Sequence, residues 1–374
     1  MSIAHLNGLV LGEKHKYKRD VKIRNVVIDD KFDKSYDYYT LFYDAFYVSK
    51  HKKICLMCPP LLNLEETLKR ARFTSQGQEL YIASIWRFKR FNEVWLHCRG
   101  VPQAIEFQVD GFKAQIAVAH DETAAFLGLN CAVTLSKNND LSWITDWAEY
   151  HVQVHGLEGI LFFDNNSDKY AAEDIDAALR RVDGLKAIRV VPAPSLYGPS
   201  NYTEGRFLQV SLLNIARYRF LSSAAALLHA DIDELVGPTP EGSVFTSTKR
   251  SLLGYLMFRG RWRYARPAAG RHVRHADCIY GSENDFYPAT KYCICPTGPC
   301  GFSHWDVHGA VRGFLKNYMV TDRFEYWHCR QISTNWKDAR STELPARLTL
   351  APETARVLDA VYSSPNAELA LVNA

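Results

Sequence analysis

The chain has 374 residues, 47% of them hydrophobic and 13% aromatic, enough to bury one large core or two ordinary ones, which excludes disorder as its general state. Its 45 basic residues are nearly cancelled by 41 acidic ones, and the formal charge of +4 gives no footprint for nucleic-acid binding. Nine cysteines, an odd number, suit reduced thiols in a cytoplasm better than a disulfide scaffold.

The opening Met1-Ser2-Ile3-Ala4-His5-Leu6-Asn7-Gly8 has no charged segment leading into a long apolar core, so it does not read as a secretory signal. No stretch reaches the ~18–20 apolar residues that a bilayer span requires. Basic residues gather in Lys14-His15-Lys16-Tyr17-Lys18-Arg19 and Lys50-His51-Lys52-Lys53. Such runs either meet an anionic membrane surface or form an ordinary solvated face. Cys55-Leu56-Met57-Cys58 and Cys293-Ile294-Cys295 with Cys300 sit in strand-like apolar runs and lack the two well-spaced pairs of a zinc knuckle.

From about residue 21 to 119, apolar and aromatic runs over 38–47, 54–57, 80–86 and 94–97 are broken by polar turns, which predicts a mostly β N-terminal domain, residues 1–125. Past Gly128 the pattern changes. Residues 131–135 read as a strand, 141–155 as a helix, 159–163 as a strand, 171–182 as a helix, 187–191 as a strand, 205–222 as a long helix and 224–229 as a fourth strand. Three βα repeats and a further strand predict an α/β domain over residues 126–340, a parallel sheet flanked by helices. Residues 341–374 are left as a C-terminal helix and tail.

The fourth strand, Ala224-Ala225-Ala226-Leu227-Leu228-His229-Ala230, opens directly onto Asp231-Ile232-Asp233-Glu234. Two carboxylates one residue apart can share a divalent cation, although an Asp at this point also caps a helix well. In parallel sheets ligands sit beyond the C-terminal strand ends, and the other ends are polar too. The first strand is followed by Ser136-Lys137-Asn138-Asn139-Asp140 and the second by Asp164-Asn165-Asn166-Ser167-Asp168. Each loop alone is plain turn chemistry. Three of them at one sheet edge make a ligand site the better reading.

Lys137-Asn138, then Trp147-Ala148-Glu149-Tyr150-His151 and Gly156, then Phe163 to Asp168, then His229 to Glu234, together resemble the pattern of glycosyltransferase family 92 and of related family 2-like bacterial enzymes. The likeness continues through Lys291-Tyr292-Cys293-Ile294-Cys295-Pro296, His304 and Tyr326-Trp327-His328-Cys329-Arg330, and leaves the first third of the chain unexplained. It implies the GT-A fold, the Rossmann-like fold of nucleotide-diphospho-sugar transferases. It further implies Mn2+ or Mg2+, a nucleotide-sugar donor of the UDP-hexose type, and a glycan or lipid-linked glycan acceptor. The transfer it implies is inverting and serves bacterial surface polysaccharide synthesis, in the cytoplasm or peripherally at the inner membrane face.

The same resemblance assigns roles. Asp231 and Asp233 would hold the metal, completed by His328, with Asp233 in direct contact and Asp231 nearer the ribose; beside Trp327, His328 also reads as a packed core histidine. Lys137, Asn138, Asp164 and Asn166 would line the nucleoside side. Asn139 stands where the family usually has an acidic residue. Arg217, on the helix before the D-x-D strand, reads either as a diphosphate contact or as an exposed helix residue, and Arg330 or Lys337 would neutralise the diphosphate. An inverting transfer needs a carboxylate base. Glu283, Asp285 and Asp306 are the candidates, each equally readable as a surface acid; Asp306 is preferred because Trp305 beside it could stack on a sugar ring.

Two other classes of function share parts of this pattern. A nucleotidyl or phosphoryl transferase also uses D-x-D on an α/β sheet, but no Gly-rich phosphate loop follows the first strand here. A noncatalytic carbohydrate-binding protein could keep the fold and the aromatics without needing Asp231, Asp233 and a late histidine together.

Overall fold

The computed structural model describes residues 3–12, 17–240, 242–266, 270–310, 319–334 and 344–363. The chain forms two compact units, one of Ala4–Ala125 with Val191–Ser222, the other of Met1–Ile3, Phe126–Val190 and Ser223–Ala374. The segment Val191–Ser222, which by sequence reads as part of the second domain, is therefore built into the first.

The first unit is an eight-stranded sheet whose central strands, Asp44–Val48, Lys53–Cys58, Asn92–His97 and Gln78–Arg87, are joined antiparallel. Its core takes Leu41, Phe42, Ile54, Leu56, Val94 and Leu96. The helix Leu208–Ile215 is buried along its whole length and runs into a π-helical turn, Ala216–Phe220. Arg219 in that turn binds buried Asp44 at 2.9 Å and Glu122 at 3.2 Å. Removing one partner of such a buried pair is costly, which explains why the segment is held in this unit.

The second unit carries the predicted βα series apart from its third helix, which lies in the first unit. Its strands and helices are β1 (Asn130–Ser136), α1 (Leu141–His155), β2 (Gly159–Asp164), α2 (Ala172–Leu179), β3 (Ala187–Pro192), β4 (Ala226–His229), β5 (Glu234–Val236), α3 (Val244–Arg250), β6 (Tyr255–Arg263), β7 (Phe286–Ile294), β8 (Val320–Cys329) and α4 (Pro352–Tyr362). They form one eight-stranded sheet in the order 3-2-1-4-7-6-8-5. β1 runs parallel to both β2 and β4, with Ser136 level with Asp164 and Val133 level with His229. β7 is antiparallel to β4 and to β6, so the sheet is mixed and the class is α/β.

Local chemistry accounts for these elements. β1, β2 and β4 are almost wholly buried, as continuous apolar strands in the middle of a covered sheet must be. α1 begins where Asp140 accepts the Ser142 N–H at 2.8 Å and ends at Gly156, whose left-handed φ of +70° lets its N–H reach the Val152 carbonyl at 2.9 Å. One face of α1 buries Trp143, Ile144, Trp147, Ala148 and Tyr150. Val357, Leu358 and Val361 of α4 join the same core. No helix among the described residues is long and apolar enough to cross a membrane.

Candidate active site

β4 ends at the point where the strand order turns back from 3-2-1 to 4, the crevice in which open α/β sheets bind ligands. The residues after it form a reciprocal turn. The Asp231 N–H donates to Glu234 Oε2 at 2.8 Å, and the Glu234 N–H donates to the Asp231 carbonyl at 3.0 Å. Glu234 then opens β5, which pairs antiparallel with β8 and sets Glu234 opposite His328.

Two clusters result. In the first, Lys291 Nζ on β7 lies 2.9 Å from Asp231 Oδ2 and 2.8 Å from Glu234 Oε2, with the lysine side chain 1% exposed. Burial alone would strip the proton from Lys291, but the two carboxylates outweigh it and raise its pKa. Burial pushes the Glu234 carboxyl up, against the pull of Lys291. In the second cluster His328 Nε2 is 3.1 Å from Asp233 Oδ2, and its ring stacks on Trp262 with centroids 4.3 Å apart. The Cys329 N–H donates to the Asp233 carbonyl at 2.8 Å, which holds the two strands in register there.

Asp233, Glu234 and His328 bring one ligand atom each to within 4.8 Å of one another, all from buried side chains. The set fits a divalent ion. His328 Nδ1 is buried without a hydrogen-bond partner among the described residues, two carboxylates supply hard oxygens, and imidazole with oxygen suits Mn2+. Asp231, expected as a ligand, lies outside this trio and is engaged by Lys291; Glu234 stands in the trio instead.

Behind the site, α1 braces β5. Tyr150 Oη donates to the Val236 carbonyl at 2.9 Å, His155 Nε2 lies 2.8 Å from the same oxygen, and the Val236 N–H donates to His151 Nε2 at 3.4 Å. Both imidazoles are fully enclosed, and burial lowers their pKa values to about 3 for His151 and about 4 for His155. They are neutral at physiological pH.

The loops after β1 and β2 are tied to each other. Asp164 accepts from the Ser167 N–H at 3.0 Å and from its hydroxyl at 2.5 Å, the Asn138 N–H donates to Ser167 Oγ at 2.8 Å, and Asn138 Oδ1 accepts from the Asp168 N–H at 2.9 Å. Asn138 and Asn166 turn the chain at φ of +58° and +59°. These contacts fix the loop shapes; the Lys137 carbonyl accepts from Thr334 Oγ1 at 3.1 Å.

The three candidate bases differ sharply. Glu283 is 76% exposed and pairs at 3.3 Å with exposed Arg347. Asp285 has one oxygen 2.9 Å from Arg261 and the other 2.8 Å from Arg263, so guanidinium groups occupy both. Asp306 accepts the Val307 N–H at 2.6 Å, and it acts electrostatically, as Lys291 and Asp231 do, on the His308 imidazole. Thr290 beside Lys291 donates to the His308 carbonyl at 2.7 Å, which fastens the Asp306 segment along β7. Arg330 lies over the Trp262 indole at 4.7 Å, the same ring that His328 stacks on. Arg217 belongs to the first unit, 3.8 Å from buried Glu93 and over the Tyr218 ring. Lys337 lies outside the described residues.

The chain matches no protein-family model and no curated protein. Solved structures to which it is similar include TarS of S. aureus at 10% identity and a TM-score of 0.24, covering 39% of this chain and 23% of that one. GalNAc-T7 with UDP, GalNAc and Mn2+ is 10% identical with a TM-score of 0.31, over 56% of this chain and 45% of that one. The galactosyltransferase LgtC with donor and acceptor sugar analogs is 14% identical with a TM-score of 0.26, over 47% of this chain and 60% of that one. The chain thus spans less than two thirds of each, and likenesses of this size do not assign it an activity.

Proposed function

We propose that this chain is a metal-dependent glycosyltransferase of the GT-A type, moving a hexose from a nucleotide-diphospho-sugar of the UDP class to a glycan acceptor. The observation that carries the reading is the trio Asp233, Glu234 and His328, which the turn after β4 and the pairing of β5 with β8 bring together. A bound Mn2+ or Mg2+ would neutralise the departing diphosphate. Asp233 and His328 would hold it, with Glu234 shared between the ion and Lys291.

The chain's own residues supply the rest. Lys291 holds the carboxyl groups of Asp231 and Glu234 in place, so that Asp231 is aligned before the donor arrives. The loop knot of Asn138, Asp164 and Ser167 keeps the nucleoside side of the crevice rigid. Arg330, on the indole beside His328, offers a further positive charge to the diphosphate. Asp306 is the base, accepting the proton of the acceptor hydroxyl as it attacks the anomeric carbon from the face opposite the leaving group, the inverting course.

The test is hydrolysis of a panel of UDP- and GDP-sugars with and without Mn2+, run beside nucleoside triphosphates. Metal-dependent release of UDP that is lost in Asp233→Ala supports the reading. Cleavage of triphosphates but of no sugar nucleotide replaces it with nucleotidyl or phosphoryl transfer.

A further inference from the structure

The trio Asp233, Glu234 and His328 has an aromatic support on its β6 side. β6 runs parallel to β8 with Trp262 level with His328, and a shift of register between β6 and β7 brings Tyr287 opposite Gly260. The Tyr326 ring lies across Gly260, so close that a Cβ there would stand 2.6 Å from its Cζ, and Tyr326 Oη donates to the Ala289 carbonyl at 2.9 Å. Glycine leaves room for this crossing, which ties β8 to β6 and β7 in the register that sets Trp262 beside His328.

A histidine that holds a metal is normally oriented through its other ring nitrogen, by a carboxylate or carbonyl outside the ligand set. His328 has no protein group of that kind among the described residues. Its Nε2 faces Asp233, itself a member of the trio, at 3.1 Å, and its Nδ1 is buried without a hydrogen-bond partner among the described residues. Packing sets the ring plane instead. The imidazole stacks on the Trp262 indole with centroids 4.3 Å apart and planes 20° from parallel. Tyr287 meets the imidazole edge-on at 5.0 Å and lies 4.8 Å from the indole.

The same indole carries a cation. Arg330 follows His328 by two residues, its backbone N–H donates to the Arg263 carbonyl at 2.8 Å, and its guanidinium lies over the Trp262 ring at 4.7 Å. The arginines of β6 are already paired, Arg261 with Asp285 at 2.9 Å and Glu325 at 2.6 Å, and Arg263 with Asp285 at 2.8 Å. Arg330, half-buried, has no carboxylate partner among the described residues. A guanidinium resting on an aromatic face keeps its N–H groups for a ligand, and their flat fork matches phosphate oxygens.

We propose that Trp262 is a positioning residue for donor binding: its one indole fixes the imidazole plane of His328 for the metal and steadies the Arg330 guanidinium for the diphosphate of the nucleotide sugar. This role rests on the glycosyltransferase reading above and adds to it a residue through which metal binding and diphosphate binding share one support.

The experiment is calorimetric titration of the full chain with Mn2+ alone, and with UDP at saturating Mn2+. The chains compared are the wild type, Trp262→Leu, Trp262→Phe, Arg330→Gln and the double variant Trp262→Leu/Arg330→Gln. Trp262→Leu is expected to weaken Mn2+ binding by roughly tenfold, the low end for loss of a group that orients a metal ligand. It is expected to weaken UDP binding by about 3- to 30-fold, the span of a cation–π contact. Trp262→Phe, which keeps a ring under both groups, recovers most of each loss. Arg330→Gln weakens UDP binding with Mn2+ binding unchanged, and adding Trp262→Leu to it costs UDP little more, because the two residues act as one unit. Thermal melting accompanies each variant, and where Trp262→Leu is too unstable to titrate, Trp262→Met is read in its place. A wild type that binds no Mn2+, or no UDP, overturns the glycosyltransferase reading and this role with it. Wild-type binding that Trp262→Leu retains in full overturns the role alone. So do equal losses in Trp262→Leu and Trp262→Phe, which would make the side chain a filler of volume, and UDP losses that simply add in the double variant.

Discussion

His275 Nε2 lies 2.9 Å from the carbonyl oxygen of Ile232, the middle residue of the D-x-D. His275 is fully buried, with Asp146 Oδ2 3.6 Å from its Nδ1, and Arg274 grips the same carboxylate. Burial works to remove the imidazole proton, but Asp146 outweighs it and raises the pKa of His275. His275, set beside Asp146 of α1, thus fixes the backbone of the turn that presents Asp231 and Asp233.

If that contact positions the turn, His275→Ala will weaken Mn2+ binding by about 10- to 100-fold, the range expected when an outer hydrogen bond to a metal site is lost. His275→Gln, which keeps an N–H donor, will recover most of it. Calorimetric titration with Mn2+ measures both.

Lys291→Met leaves Asp231 and Glu234 without their counter-ion. Breaking a buried pair in this way costs about 3–5 kcal/mol, so the variant is expected to melt far below the wild type. Mn2+ should restore more stability to the variant than it adds to the wild type, because the ion then faces one more unbalanced charge. Thermal unfolding with and without the metal reads the difference.

Three histidines make stability depend on pH with opposite signs. His151 and His155 stay neutral in the folded chain down to about pH 3 and pH 4, whereas the unfolded chain takes up these protons below 6.5. Unfolding therefore binds protons in the window from 6.5 down to those values, and stability falls as pH drops through it, by about 1 kcal/mol per group per pH unit. His275 has the reverse sign. Its folded pKa is raised, so its contribution is complete below 6.5 and is lost as pH rises through the folded value. Urea unfolding at pH 5, 6.5 and 8 should give its highest free energy at the middle value, and His155→Gln should flatten the acid side.

The candidate bases separate in a transfer assay. Asp306→Asn is expected to slow transfer by about 10²- to 10⁴-fold with Mn2+ binding unchanged. Glu283→Gln, on an exposed pair, should leave the rate intact. Asp285→Asn should lower the melting temperature more than the rate at saturating substrate, since its carboxylate holds Arg261 and Arg263.

Much of the second unit is legible in the sequence because its signals are local. The helix over 141–155 is bounded by Asp140 and Gly156, and the strands before the three polar loops are continuous apolar runs. The D-x-D and His328 are visible as residue types, and β5 pairing with β8 is what joins them. Glu234 adjoins the motif, yet residue order alone gives it no role. Lys291 and His275 gain none either, because their partners lie 60 and 43 residues away and only strand register and loop packing bring them together. The helix expected over 205–222 stops at Ile215 and turns π-helical, where Arg219 swings toward Asp44 and Glu122. Periodicity carries no trace of such a long-range ion pair.

The ammonium between Asp231 and Glu234 also bears on the order of events in the cell. A small zinc domain stays unfolded until its ion arrives, because metal binding supplies most of its folding free energy. Here one built-in cation already offsets part of the acidic turn, so the polypeptide can complete its sheet during synthesis with no ion present. If the trio Asp233, Glu234 and His328 takes Mn2+, loading is then a late and reversible step, and chelation should leave the protein folded and ready to be recharged.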